Sequence, residues 1–249
     1  MKCNPETFFQ FQKVHPSWMP CLKRSLKVLD QDYLDGLTES IWLPGPERIF
    51  NAFSLPLNEV KYVLLGESPY PRPESAIGYA FWDGAVNDLW SEKGLSTKVN
   101  RATSLRNLIK MLLIAEGVLD QHPSQDRIAE ISKNLLVKTN KELFTNFLCR
   151  GFLLLNASLV LKSSPVHNDS KAWNPFVKSL LSCLIEKNPN IQILLLGRLA
   201  AKMSNWLNLM GIRTLEAEHP YNLSFITNPE ILAFFRPLHL LRKENHLNN

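Results

Sequence analysis

The stretch VKYVLLGESPYP, residues 60–71, decides the fold. Val60 to Leu65 is a short apolar run rich in β-branched and leucine residues. Gly66, Pro69 and Pro71 close it with turn signals, so it predicts a strand buried on both faces. Phe152 to Leu155, Ile191 to Leu196 and Gly211 to Leu215 have the same character. Helical periodicity falls between them. Leu105, Leu108, Ile109, Leu112 and Leu113 share one face of a helix, with Ser104 as its expected N-cap and Gly117 as its stop. Trp173, Phe176, Val177, Leu180, Leu181 and Leu184 repeat the pattern, as do Leu199, Met203, Trp206, Leu207 and Met210. Strands alternating with amphipathic helices predict an α/β fold, a three-layer αβα sandwich around a four-stranded, mainly parallel central sheet. Asp83 to Arg101 reads as a long polar loop and Leu119 to Arg150 as helical padding. With no internal repeat and no low-complexity stretch, a single domain over residues 1–249 is expected.

Composition narrows the function classes. Hydrophobic residues at 45% and charged ones at 20% exclude disordered and fibrous proteins. Cys3, Cys21, Cys149 and Cys183 lie far apart with no Cys-x-x-Cys pair, which argues against a disulfide framework, a zinc ribbon or an iron–sulfur cluster and fits a reducing compartment. The start has no apolar run of signal-peptide length, and nowhere do 18 apolar residues follow one another, so a soluble, cytoplasmic protein with no membrane partner is expected. A formal charge of +5 favours a polyanionic partner but by itself decides little.

In open α/β sheets the site lies beyond the carboxyl ends of the strands. Here those ends read GESPYPRP, NAS, GR and EAEHPYNLS. Glu67 and Ser68 follow the first strand, Asn156 the second and His219 the fourth, all polar groups suited to a flat heterocycle, with Tyr70 and Phe81 supplying aromatic surface.

These motifs, in this order, resemble family 1 of the uracil-DNA glycosylase superfamily from about Ile49 onward. Gly66-Glu67-Ser68-Pro69-Tyr70-Pro71 is similar to the family's Gly-Gln-Asp-Pro-Tyr-His motif. Gly78-Tyr79-Ala80-Phe81 follows where the family has its uracil-stacking phenylalanine. Leu153-Leu154-Leu155-Asn156 resembles its Leu-Leu-Leu-Asn strand, and His219-Pro220-Tyr221-Asn222-Leu223-Ser224 its His-Pro-Ser-Pro-Leu-Ser loop. Secondary likenesses are Ile49-Phe50-Asn51-Ala52-Phe53, Ser104-Leu105-Arg106-Asn107, and His167 with Trp173 and Phe176. The resemblance implies a monofunctional glycosylase that needs no cofactor or metal, uses water as nucleophile, and acts as a monomer on uracil in single- or double-stranded DNA. Breaking the glycosidic bond leaves positive charge on the sugar and negative charge on the departing base, so donors must face the base, which first leaves the stack. By the same resemblance Asn156 would pair with the uracil edge, Phe81 would stack on its face, and Tyr70 would fill the space of a thymine methyl. His219 would hold the developing oxyanion, Leu223 would wedge into the vacated gap, and Ser104 and Ser224 would meet the DNA.

The departures matter equally. Ser68 stands where the family carries its catalytic aspartate, and a serine hydroxyl is neither a negative charge nor an effective base at neutral pH. Glu67 restores a carboxylate one residue earlier, as in the iron–sulfur glycosylases of the superfamily, whose cluster cysteines are absent here. Ala102-Thr103 replaces a proline pair in the phosphate-gripping loop and Tyr221-Asn222 replaces a serine and a proline in the wedge loop, which removes stiffening. Each residue also has a plain reading: Asn156 a turn residue, His219 a satisfied loop histidine, Phe81 core, Ser104 a cap, Glu67 a solvated carboxylate. Three functions stay open: uracil excision with weakened or altered catalysis, excision of another modified base, and an inactive glycosylase-fold protein that binds DNA or a partner.

Overall fold

The structure, a computed structural model, describes residues 2–120, 122–162 and 166–243. The side chains of His167 and Lys202 lie outside it. The central element is a four-stranded parallel sheet. Its strands are β1 (Tyr62–Gly66), β2 (Phe152–Asn156), β3 (Gln192–Leu196) and β4 (Arg213–Ala217), in the order β2-β1-β3-β4. All four expected strands are present, displaced by one or two residues. β1 begins at Tyr62 because Leu57–Glu59 forms a helical turn first, and Lys61 and Tyr62 both donate N–H to the Gly151 carbonyl. β1 and β2 pair in register from Tyr62 opposite Phe152 to Gly66 opposite Asn156. Val63, Leu64, Leu65 and the whole of β2 are buried, as a strand covered on both faces requires.

The chain forms two compact units. The first comprises Met1–Ala80, Gly151–Leu194 and Trp206–Thr214, and the second Phe81–Arg150, Leu195–Asn205 and Leu215–Asn249. In the first, α1 (Met19–Leu26) packs against part of a longer helix, Val166–Lys187. Cys21 and Cys183 on these helices are joined by a disulfide with 5.6 Å between their Cα atoms. This corrects the expectation of cysteines without disulfides. Sequence separation, here 162 residues, says nothing about the distance between two residues on packed helices.

In the second unit, α2 (Thr103–Ala115) and α3 (Asn140–Cys149) carry the core. Trp82 stacks on Phe144 at 5.3 Å, and Phe144 on Phe147 at 5.4 Å. The expected cap of α2 needs correction. Ala102 is the N-cap and makes no side-chain bond, so Ser104 is the second residue of the helix. Ala102 closes the short helix Thr97–Arg101 through its N–H, then opens α2 by accepting the Arg106 N–H. Two helices abut at one residue, leaving no room for a separate serine cap. Gly117 does end α2, with φ +67° just beyond the C-cap Glu116. The 83–101 segment is also not one polar loop. It contains a hairpin, Trp90–Ser91 with Gly94–Leu95, and the Thr97–Arg101 helix capped by Ser96. Val86, Leu89, Leu95 and Val99 are buried; their spacing matches neither strand nor helix over any long window, which hid them.

Candidate active site

In the first unit the end of β1 is fixed by main-chain bonds that continue past the strand. Ala157 donates N–H to the Gly66 carbonyl at 2.7 Å and Ser158 to the Glu67 carbonyl at 2.9 Å. Glu67, Ser68 and Asn156 are thereby brought together at one end of the β1–β2 pair. Asn156 is buried, Glu67 and Ser68 are half-buried, and Tyr70 follows the buried Pro69. The segment leading on to Ala80 is braced through its carbonyls. The Arg48 guanidinium donates to the Pro73 and Ala76 carbonyls, each at 3.2 Å, and the Asn51 amide to the Ile77 carbonyl at 2.9 Å. Ala80 returns N–H to the Leu154 carbonyl of β2 at 3.0 Å. Gly78 has φ +85°, and a Cβ there would lie 1.9 Å from the Arg48 carbonyl oxygen. Sequence reasoning singled out Asn51 and Gly78 only as parts of a likeness, and it passed over Arg48.

In the second unit Phe81 adopts φ +63°, a conformation that bulky L-residues rarely hold without a reason. Its ring stacks on the His219 imidazole, centroids 6.0 Å apart and planes 29° from parallel. His219 lies just beyond β4 at the start of a turn with Pro220 next in line, closed by the Asn222 N–H on the His219 carbonyl at 2.9 Å. Its Nδ1 accepts the Tyr221 N–H at 3.1 Å. An Nδ1 that accepts carries no proton, so in the neutral ring the proton sits on Nε2.

Two residues that the sequence left unassigned set this turn. Gly197, just beyond β3, donates N–H to the Ala217 carbonyl at 2.8 Å and approaches so closely that a Cβ on it would lie 2.8 Å from the His219 Cβ. The only sequence signal was a glycine at a strand end. Asn107 of α2, fully buried, donates its amide to the Pro220 carbonyl at 2.7 Å. The loss of the second proline therefore does not leave the loop unbraced. Ser224 donates its hydroxyl to Glu218, and with the Asn228 amide this holds the Glu218 carboxyl below its ordinary value. Leu223 stands out at 71% exposure. Among the described residues no group of three or more His, Cys, Asp or Glu is placed to hold a metal, and no helix is long and apolar enough to cross a membrane.

The first unit thus offers an amide for the edge of a heterocycle beside a carboxylate and a hydroxyl. The second offers an aromatic face stacked on an imidazole whose Nδ1 accepts a main-chain N–H. No protein-family model matches the chain. Its structure is similar to the crystal structure of the wild-type UNG from Nitratifractor salsuginis, with a TM-score of 0.89 and 40% identity over 96% of each chain. It is 26% identical over 221 residues to the uracil-DNA glycosylase of Streptococcus gordonii, covering 84% of this chain and 85% of that one. The uracil-DNA glycosylase of Wolinella succinogenes is likewise 26% identical, over 224 residues, covering 85% and 83%. The mimivirus uracil-DNA glycosylase shares the fold at a TM-score of 0.59 and 19% identity.

Proposed function

Because the chain belongs to the uracil-DNA glycosylase family, we propose that it is a base-excision repair enzyme that hydrolyses the bond between uracil and deoxyribose in DNA. The observation that carries this is the His219 tautomer. With Nδ1 accepting the Tyr221 N–H, the imidazole presents Nε2–H as a fixed donor. A preorganised donor of this kind stabilises the charge that grows on uracil O2 as the bond breaks, by about two to three powers of ten in rate. In this reading Phe81 stacks on the extruded base, Asn156 pairs with its edge, and Tyr70 excludes a thymine methyl. Leu223 enters the gap, and the first turn of α2 at Ser104, whose N–H groups have no partner within the helix, meets phosphate. Water is the nucleophile, Ser68 leaves it without the usual base, and Glu67 supplies the remaining carboxylate. In the same reading residues 1–249 act as one domain, as a monomer and in the cytoplasm.

Ser68 also motivates a second reading, a DNA-binding protein on the same fold that has lost catalysis. The test is uracil release from a single-stranded oligonucleotide at high enzyme concentration and low salt. Release is expected, lowered at least a hundredfold by His219→Ala and by Asn156→Ala. Oligonucleotide binding without any release would overturn the glycosylase reading in favour of the binding protein.

A further inference from the structure

Glu218, the first residue beyond β4, ties together the two ends of the loop that follows it. Its carboxylate accepts the Ser224 hydroxyl and, through Oε2 at 3.0 Å, the Asn228 amide. Asn228 is itself anchored. Its Oδ1 caps the helix Pro229–Phe235 by accepting the N–H groups of Glu230 at 3.1 Å and Ile231 at 3.2 Å, and that helix buries Ile231 and Phe235. The helical turn Leu223–Thr227 likewise buries Phe225 and Ile226, while Leu223 at its start is 71% exposed. One carboxylate thus links a strand end, this turn and a helix cap. The Asn107 amide holds the other side of the loop through the Pro220 carbonyl at 2.7 Å. An apolar side chain presented to solvent from a turn held in this way suits entry into a base stack, because unstacking a step costs free energy that a yielding backbone would not withstand.

The same carboxylate decides what Ser224 can do. A serine hydroxyl has one hydrogen to donate, and an ionised carboxylate and a phosphate oxygen both only accept. The Ser224 bond, with smaller help from the Glu218 N–H and the Asn228 amide and against desolvation, holds the Glu218 carboxyl below its ordinary value. It is therefore charged at neutral pH and keeps the Ser224 hydrogen, which leaves none for a DNA phosphate. Asn222 stands where the family loop has a proline, so the main chain here lacks ring stiffening, and the bonds to Glu218 constrain the turn from outside it.

Resting on the glycosylase reading above, we propose that Glu218 is a positioning residue for base extrusion: it fixes the turn from which Leu223 enters the stack and uses Ser224 as a strut rather than as a phosphate ligand. The test follows extrusion without bond cleavage. The full chain, at saturating concentration, is mixed with a duplex in which 2-aminopurine neighbours a 2′-fluoro-deoxyuridine, whose fluorine slows loss of the base. The rise in 2-aminopurine fluorescence reports unstacking. Glu218→Ala should lower the extrusion equilibrium about tenfold, the scale of one charge-assisted hydrogen bond, and Ser224→Ala, at an exposed position, about threefold. The double variant of Glu218→Ala with Leu223→Ala should extrude no less than Leu223→Ala alone, because Glu218 acts through that side chain. Glu218→Gln keeps an acceptor for Asn228 and offers an amide N–H to the Ser224 oxygen, so it should stay within about twofold of the wild type. Affinity for a uracil-free duplex, read by fluorescence anisotropy, should change less than about twofold in Glu218→Ala and in Ser224→Ala, since neither side chain donates to phosphate. This separates lost positioning from lost structure. Wild-type extrusion in Glu218→Ala overturns the proposal, as does a loss in Glu218→Gln equal to that in Glu218→Ala, weaker uracil-free binding in Ser224→Ala, or a wild-type protein that gives no fluorescence rise. No base is released in this experiment, so its outcome is distinct from the release assay on which the glycosylase reading stands or falls.

Discussion

The two stretches that carry the candidate chemistry are built on opposite plans. Residues 66–80 are held through main-chain carbonyls: those of Gly66, Glu67, Pro73, Ala76 and Ile77 each accept a bond from elsewhere in the first unit. Residues 218–224 are held through side chains: the His219 ring, the Asn107 amide, and the Glu218 carboxylate with Ser224 and Asn228. A frame of carbonyls stands whatever side chain occupies a given position, so the first stretch can exchange an aspartate for Ser68 and keep its shape. In the second stretch the imidazole proposed to hold the departing base also closes the turn. Substitutions there disturb geometry and function together.

The largest expected effect tests that coupling from Gly197, which has no side chain of its own. Gly197→Ala places a methyl group 2.8 Å from the His219 Cβ at a residue with φ +65°, so His219 must move or the β3 end must distort. Displacing the donor should lower single-turnover uracil release by a factor of about 100 to 1000, or roughly 3–4 kcal/mol of barrier. Because both changes act through one imidazole, the double variant with His219→Ala should be no slower than His219→Ala alone. A wild-type rate in Gly197→Ala would show that the turn is less dependent on its side-chain contacts than the geometry implies.

The second unit uses a buried carboxylate in the same manner, and there the brace carries a penalty. The Glu116 side chain has no exposure, accepts the Leu241 N–H at 2.8 Å through Oε1, and lies 3.8 Å from Arg242 Nε through Oε2, which has no hydrogen-bond partner among the described residues. Burial pushes its pKa from 4.5 up to about 7, against the opposing pull of the Leu241 N–H, Arg242 and Arg150. The folded state therefore holds a proton that the unfolded chain releases above 4.5, and the resulting stability is full below that pH and lost as the pH rises through about 7. Glu116→Gln keeps an acceptor for Leu241 and removes the titration. Its stability should match the wild type near pH 4 and exceed it by up to about 3 kcal/mol at pH 8, measured by urea unfolding. A constant difference across that range would mean that the carboxyl does not change charge there.

This contrast also explains how much could be read from the sequence. The strands were legible because a buried parallel strand is a continuous apolar run, and Gly66, Asn156 and His219 stood out because each ends or follows such a run. The Asp83–Arg101 segment was not legible, since of its buried apolar residues only Leu95 lies on the hairpin and only Val99 on the short helix, while Val86 and Leu89 precede both, so no single period runs through them. Cys21 and Cys183 meet through helix packing, which sequence separation does not encode. Gly197 and Asn107 are significant only through the residue each one touches. Side-chain bracing of the kind found at 218–224 is a property of pairs distant in sequence, whereas strand ends are a property of neighbours.

The smallest expected effect addresses the stretch held by carbonyls. If its frame is independent of residue 68, Ser68→Asp should place a carboxylate there without moving Asn156, and the thermal midpoint should stay within about 1 °C of the wild type, as for a substitution worth only a few tenths of a kcal/mol. A carboxylate at this point can orient water and offset positive charge on the sugar. Uracil release should therefore rise about tenfold, or about 1.4 kcal/mol, a modest gain because two adjacent carboxylates raise each other's pKa and part of the new charge is lost. Glu67→Gln separates the two contributions. Where Glu67 carries the residual chemistry, Glu67→Gln alone abolishes release and the double variant with Ser68→Asp recovers it. A gain from Ser68→Asp with no loss from Glu67→Gln would assign Glu67 a structural role and leave leaving-group stabilisation by His219 as the source of the wild-type rate. No gain in either background would show that the carbonyl frame does not aim position 68 at the sugar, and the comparison between the two stretches would fail on the side that looks the more robust.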